Sequence, residues 1–255
     1  MAVSIKSARE IELMREAGKR LAHVHEELGR AVAPGISTWE IDALGEKLIR
    51  DCGCVPNFLH YNGYPASICV SVNEEVVHGI PRKDRILKEG DIVSLDAGLI
   101  YRGYHSDAAR THAVGRISEE AQKLIGVTRQ SFFEGIKMAR EGNYLHDISN
   151  AIDAYVSGFG YGIVRDLVGH GIGTALHEDP QIPNFAQKRR GVRLQAGMTL
   201  AVEPMVNAGT WKVRWLQDGW TVVTRDRSLS AHYENTILVT DGEPEILTLY
   251  EGEGL

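Results

Sequence analysis

Two acidic residues stand at the ends of apolar runs that read as buried strands. Asp96 follows Val-Ser-Leu and precedes Ala-Gly; Glu203 follows Leu-Ala-Val and precedes Pro204. An ionised carboxylate withdrawn from water costs several kcal/mol unless a counter-charge or hydrogen-bond donors meet it. Any fold that buries these segments must therefore bring a partner to the acids. Asp107, His170 and Glu234 lie in comparable short apolar stretches. One partner that satisfies four acids and one imidazole together is a pair of divalent cations. Four carboxylates carry −4 and two M²⁺ ions carry +4, so such a centre neutralises itself. The competing reading, solvated charge on an open strand face, fails on the apolar flanks of Asp96 and Glu203. Local sequence leaves it open for Asp107.

The rest of the chain can bury such a centre. Its 255 residues are 43% hydrophobic and 24% charged, which suits a soluble globular protein. A net charge of −6 gives no general attraction to nucleic acid or acidic membranes. The N-terminal stretch has no apolar signal core, and no segment approaches the roughly 18–20 apolar residues of a membrane span. The cysteines are Cys52, Cys54 and Cys69. An odd number with a tight Cys-Gly-Cys spacing reads as free thiols in a reducing cytoplasm, with half of a zinc site as the alternative.

Hydrophobic periodicity orders the elements. Ser7 to Glu10 forms a capping box before Ile11, Met14, Leu21, Val24 and Leu28, predicting a helix over about 7–33. Ser37 to Glu40 starts a second helix that stops near Gly53. The segment 67–73 is a strand. Segments 91–96 and 98–104 are predicted as two strands joined by a tight Ala97-Gly98 turn, with Asp107 just past the second. Helices follow over about 118–141 and 147–157, then strands from Ile163 onward. Leu87 to Asp96 aligns without gaps to Leu194 to Glu203, each a Leu and a Gly before a short strand that ends in an acid. Each copy is preceded by His-x-x-Pro, at His78 and His177. This echo predicts two related α+β halves, about 37–142 and 143–249, packed as one domain over 1–255 and lending carboxylates to a shared cleft.

Seven segments in order extend the reading. They are His78-Gly-Ile-Pro81, Ser94-Leu-Asp96-Ala-Gly98, Gly103-Tyr-His-Ser-Asp107, Gly169-His170-Gly-Ile-Gly173, Val202-Glu203-Pro204-Met205, Asp218-Gly-Trp220 and Ser228-Leu-Ser-Ala-His-Tyr-Glu234-Asn-Thr. Together they resemble the methionine aminopeptidases of type I, within the pita-bread metallopeptidases, over about residues 3–248. The resemblance implies an α+β pita-bread fold: two pseudo-symmetric halves with a central curved antiparallel sheet covered by helices. It implies removal of the initiator methionine from nascent proteins with a small second residue, by a hydroxide bridging two divalent ions (Co²⁺, Mn²⁺, Fe²⁺ or Zn²⁺). Asp107 and Glu234 would bridge both ions, Asp96 would complete one shell, and His170 with Glu203 the other. Glu203 would also shuttle the proton.

By the same resemblance His177 would donate to the developing oxyanion, and His78 would contact the scissile nitrogen or assist the leaving group. Tyr61, Tyr64, Cys69 and Trp220, with Phe58, would wall an apolar methionine slot. The chain departs from the commonest pattern at Phe58, where cysteine is frequent, at Leu176, where phenylalanine is frequent, and at His232, where glutamine is frequent. His232 therefore receives no role. The implied setting is a cytoplasmic monomer, transiently at the ribosome, with no nucleic-acid specificity and no membrane contact. The alternatives are an Xaa-Pro peptidase on the same scaffold, whose relatives carry an N-terminal domain with no room here before residue 60, and a non-catalytic binding protein that kept the fold.

Overall fold

The structure is a computed structural model that describes residues 3–250 together with 252 and 253. Among the described residues four α-helices form: α1 (Ala8–Ala31), α2 (Thr38–Asp51), α3 (Glu119–Ile136) and α4 (Leu145–Ser157). Both expected capping boxes are made. The Ser7 and Ser37 hydroxyls accept from the backbone N–H groups of Glu10 and Glu40, whose carboxylates reach back to the cap N–H groups.

Strands of the first part are β1 (Val55–Pro56), β2 (Ile68–Val72), β3 (Glu75–Val77), β4 (Ile92–Tyr101) and β5 (Tyr104–Ala113). Those after α4 are β6 (Gly162–Ile163), β7 (Gly169–Gly171), β8 (Glu178–Ile182), β9 (Thr199–Val202) and β10 (Met205–Asn207). The last are β11 (Val213–Trp215), β12 (Val222–Thr224), β13 (Ser230–His232), β14 (Glu234–Leu238) and β15 (Glu245–Ile246). The central antiparallel sheet runs β1-β4-β5-β14-β9-β7-β8, with β2 also on β4 and β15 on β14. Two three-stranded sheets, β13-β10-β6 and β11-β12-β3, flank it.

Side-chain alternation divides the central sheet into two faces. Val93, Leu95, Ala97 and Leu99 of β4 and Ala108 of β5 pack with Leu21, Val24 and Leu28 of α1 and Ile41 of α2. Leu200 and Val202 of β9 and Ile237 of β14 pack with Leu124 and Phe132 of α3 and Ile148 and Ile152 of α4. All four helices thus cover one face. This is the α+β pita-bread architecture, and the opposite face is left for chemistry.

Two local expectations are corrected. The hairpin does not turn at Ala97-Gly98. β4 continues through both residues, and the turn is Arg102-Gly103, with φ of 48° and 86°. Two consecutive left-handed residues make the tight turn whose twist matches the strands. Gly98 is there because its side-chain space is taken: a Cβ would lie 2.6 Å from Asn57 Nδ2 and 3.1 Å from Phe58 Cε1. Asp107 consequently lies inside β5, opposite Gly98. The second correction is α3, which ends at Ile136 rather than near Glu141. Beyond it the chain pairs with the segment after β14, where the Glu141 N–H donates to the Thr240 carbonyl at 3.0 Å.

These glycines give different expected costs. Gly98→Ala should destabilise by about 1–3 kcal/mol through displaced Asn57 and Phe58, and Gly103→Ala by about 1–2 kcal/mol through its positive φ. Urea unfolding of both variants checks this. Free tolerance of alanine at 103 would contradict the turn assigned to it.

Candidate metal centre and substrate cavity

Strand register brings the separated acids together. Asp96 pairs with Ala109, and Asp107 with Gly98, so both acids project from the same face of the hairpin. Glu234 pairs with Ala109 from the other side, which puts it on that face too. Asn235 pairs with Val202, so Glu203, one residue past β9, falls opposite Glu234. His170 pairs with Ala201, two residues before Glu203. All five side chains therefore emerge on the side away from the helices.

Asp107, His170 and Glu234 are buried, whereas Asp96 and Glu203 are partly open to a cavity. His170 Nε2 lies 3.7 Å from Asp107 Oδ2 and 3.7 Å from Glu203 Oε1. The other ring nitrogen, Nδ1, is 2.9 Å from the Gly171 carbonyl, which can only accept. Nδ1 therefore carries the proton, and Nε2 keeps a lone pair aimed at the acids. The Asp107 backbone is tied to the Thr236 hydroxyl at 3.0 Å. Arg110 does not neutralise the cluster. Its donors go to the Ala109 and Glu234 carbonyls, to Asn235 Oδ1 and to Glu253.

The charges are accordingly uncompensated by protein. Burial first, then neighbouring carboxylates, raise the pKa of Asp107, Glu203 and Glu234 well above the usual range, and burial raises Asp96. Asp96 Oδ1, Asp107 Oδ1 and Glu234 Oε1 are buried with no hydrogen-bond partner. Burial and the nearby His177 push His170 down to about 3, so its imidazole is neutral near pH 7. Crowded carboxylates with unpartnered oxygens beside a neutral imidazole are a donor set that divalent cations fit.

The cluster forms one wall of a cavity of about 230 Å³. Asp96, Asp107, His170, Glu203 and Glu234 line it alongside His78, His177, Phe58, Tyr61, Tyr64, Cys69 and Trp220. The structure thus gathers every residue singled out from sequence for ligation, catalysis or the methionine slot. Tyr64 and Trp220 meet edge to face at 5.2 Å, and the Tyr64 hydroxyl donates to the Gly79 carbonyl at 2.9 Å. The Cys69 thiol is buried and its pKa raised, so it behaves as a small apolar group. All three cysteines are free.

The two remaining histidines are held differently. His78 has φ of 59°, a left-handed conformation that a non-glycine residue keeps only when its surroundings demand it. Burial lowers its pKa to about 4. His177 is more open, and the desolvation it does suffer lowers its pKa. Its Nδ1 is 2.7 Å from the Tyr61 hydroxyl.

Sequence reasoning gave no site role to three residues that lie at the site, Leu176 and His232 having been noted only as departures from the family pattern. Asn62 and Leu176 also line the cavity. Asn62 sits at φ 49° before Gly63, and its Asn-Gly step was the available turn signal. His232 was set aside for departing from a pattern, yet it lies at the cluster. Its Nε2 is 3.9 Å from Glu203 Oε2 and 3.8 Å from Glu234 Oε2. Proximity across strands left no mark in the local sequence.

Comparison with known proteins gives concordant matches. The model of metallopeptidase family M24 matches residues 12–241. A methionine aminopeptidase of Clostridium acetobutylicum is 55% identical over 249 residues, covering 98% of this chain and 100% of that protein. Methionine aminopeptidase 1 of Bacillus subtilis is 51% identical, covering 95% and 98%. The crystal structure of a methionine aminopeptidase from Thermotoga maritima superposes with a TM-score of 0.96 at 46% identity, covering 98% of this chain and 100% of that one. With its family model matched over most of its length and its acids gathered on one sheet face, the chain belongs to metallopeptidase family M24.

Proposed function

We infer that this protein is a methionyl aminopeptidase that removes the initiator methionine from new polypeptides, with a small second residue. One observation carries the reading: four carboxylates and His170 converge on the wall of a cavity whose other walls are His78, His177 and an apolar group with Trp220. The identity to methionine aminopeptidases over nearly the whole chain supports the same substrate. We read residues 1–255 as one catalytic domain. The half over 37–142 supplies Asp96 and Asp107, and that over 143–249 supplies His170, Glu203 and Glu234.

Asp96, Asp107, His170, Glu203 and Glu234 would hold two divalent ions, with Asp107 and Glu234 shared. When bound, the ions cancel the carboxylate charge and supply the Lewis acidity that makes water nucleophilic near neutral pH. Glu203, partly open to the cavity, takes a proton from the attacking water and returns it to the leaving amine. His177 is neutral. The Tyr61 hydroxyl contacts Nδ1; in the tautomer where it donates there, the Nε2–H would be free to donate to the developing oxyanion. His78 stands against Trp220, their rings 6.3 Å apart, and meets the scissile nitrogen. Tyr61, Tyr64, Cys69, Phe58 and Trp220 take the thioether. Among the described residues no helix is long and apolar enough to cross a membrane. We place the protein in the cytoplasm, as a monomer that meets its substrates at the ribosome.

Turnover of a Met-Ala-Ser peptide against an Xaa-Pro peptide tests the substrate. Cleavage of Met-Ala-Ser alone, lost on chelation and lost in Asp107→Ala, is expected. Preference for the Xaa-Pro peptide would overturn the reading.

His177→Ala should lower kcat by about a hundredfold and leave KM comparatively unchanged. Steady-state kinetics read the split, and a change confined to KM would remove His177 from the transition state.

The raised carboxyl pKa values set a pH dependence. Groups whose folded pKa lies above the unfolded value contribute stability that is complete at low pH and lost as pH rises through the folded values. The depressed histidines act oppositely, losing stability as pH falls below their ordinary value. Between about pH 7 and 8, above the ordinary range of the histidines and below that of the buried thiols, the carboxyls dominate, Asp96 among them with its pKa pushed up to about 7. The Tm of metal-stripped protein should fall with rising pH there, and divalent ions at about a hundred times Kd should restore about 2.7 kcal/mol. A stripped protein with a pH-independent Tm in that range would contradict the clustered charges.

A further inference from the structure

His232 is a buried imidazole with no assigned work. It is 1% exposed, and both ring nitrogens lack a hydrogen-bond partner. A buried polar group left unpaired in this way costs free energy unless something meets it. The ring faces two of the carboxylates. Its Nε2 stands 3.9 Å from Glu203 Oε2 and 3.8 Å from Glu234 Oε2, beyond hydrogen-bond reach. Metal–ligand lengths of about 2.0–2.2 Å, however, set neighbouring donors roughly 3–4 Å apart. His170 keeps the same spacing, 3.7 Å, from Asp107 and Glu203.

The donor atoms accordingly group into two triads, Asp107–His170–Glu234, all buried, and Glu203–His232–Glu234, with Glu203 half-buried, which share Glu234. The position of His232 is firmly held. Its N–H donates to the Thr111 hydroxyl at 2.9 Å, and that hydroxyl donates to its carbonyl at 2.9 Å. Thr111 is itself 2.8 Å from Ser94 Oγ, and His232 pairs with Met205 across β10 and β13. The backbone is pinned on both sides, which fixes the point from which the buried ring extends toward the acids.

We propose that His232 is a metal ligand of this chain, its Nε2 joining Glu203 and Glu234 around one divalent cation. The inference rests on the reading that cations bind these acids. It adds a second imidazole to the donor set. A nitrogen donor in place of a neutral amide oxygen tightens binding of Co²⁺, Fe²⁺ and Zn²⁺ more than that of Mn²⁺. The chain is therefore tuned toward the nitrogen-preferring ions.

The test uses full-length protein stripped by chelation and titrated with Co²⁺ and with Mn²⁺, read by calorimetry and by the visible absorption of bound Co²⁺. In His232→Gln, Co²⁺ affinity should fall about tenfold or more at one binding event. The Co²⁺ bands should shift, and the ratio of Co²⁺ to Mn²⁺ affinity should drop. Proton NMR of the unmodified Co²⁺-loaded protein gives an independent reading. Exchangeable, hyperfine-shifted imidazole N–H signals are expected from both His170 and His232. Unchanged affinity and spectrum in His232→Gln, with a single such signal in the unmodified protein, would overturn the ligand role. Asp107→Ala separates the two readings. Its loss of Co²⁺ binding beside a normal His232→Gln removes His232 alone. Failure of the unmodified protein to bind Co²⁺ removes the metal centre and His232 with it.

Discussion

The withdrawal from water of crowded, mutually repelling carboxylates is the constraint around which this structure is arranged. Asp96, Asp107, Glu203 and Glu234 crowd one wall of a cavity, and each has its pKa raised. Arg110, the cation that lies beside Glu234, directs its donors to backbone carbonyls, Asn235 and Glu253. A protein that needed only stability would not retain such a cluster, because hydrophobic residues of similar volume would serve better. The cluster makes physical sense as the negative half of an interaction whose positive half is divalent metal, which accords with membership of a metallopeptidase family.

The sheet makes this concentration of charge possible at tolerable cost. Its helix-facing side carries Leu95, Leu99, Leu200, Val202 and Ile237 in two apolar clusters. Because strand side chains alternate, the same strands that build the core deliver the acids to the other side. One strand residue thus does structural work and the next does chemistry. A slip of one residue in register would exchange the two sets and destroy both. The Arg102-Gly103 turn matters for this reason: it sets the pairing that puts Asp107 beside Asp96.

Electrostatics also sorts the histidines. Burial holds His78, His170 and His232 neutral at ordinary pH, and desolvation pushes His177 the same way. Neutral imidazoles can ligate metal or present a single N–H. The Gly171 carbonyl selects the His170 tautomer, and the Tyr61 hydroxyl contacts His177 at the corresponding nitrogen. At His170 a neighbouring carbonyl, which can only accept, decides which nitrogen is available.

Much of this was legible along the chain. Apolar flanks marked Asp96 and Glu203 as acids withdrawn from water, capping boxes set the starts of α1 and α2, and the echo of Leu87–Asp96 in Leu194–Glu203 located two strands of the cluster, β4 running on through Asp96 and β9 ending just before Glu203. These are local signals, carried by periodicity and by the cost of burying charge, and a linear string preserves them. The place of the hairpin turn, the packing role of Gly98 and the approach of His232 to Glu203 and Glu234 were decided only in three dimensions. Each depends on a neighbour distant in sequence: Asn57 filling the space over Gly98, or β13 pairing with β10 so that one imidazole faces the acids. Proximity of that kind arises from strand pairing across the whole sheet, and no window of residues contains it.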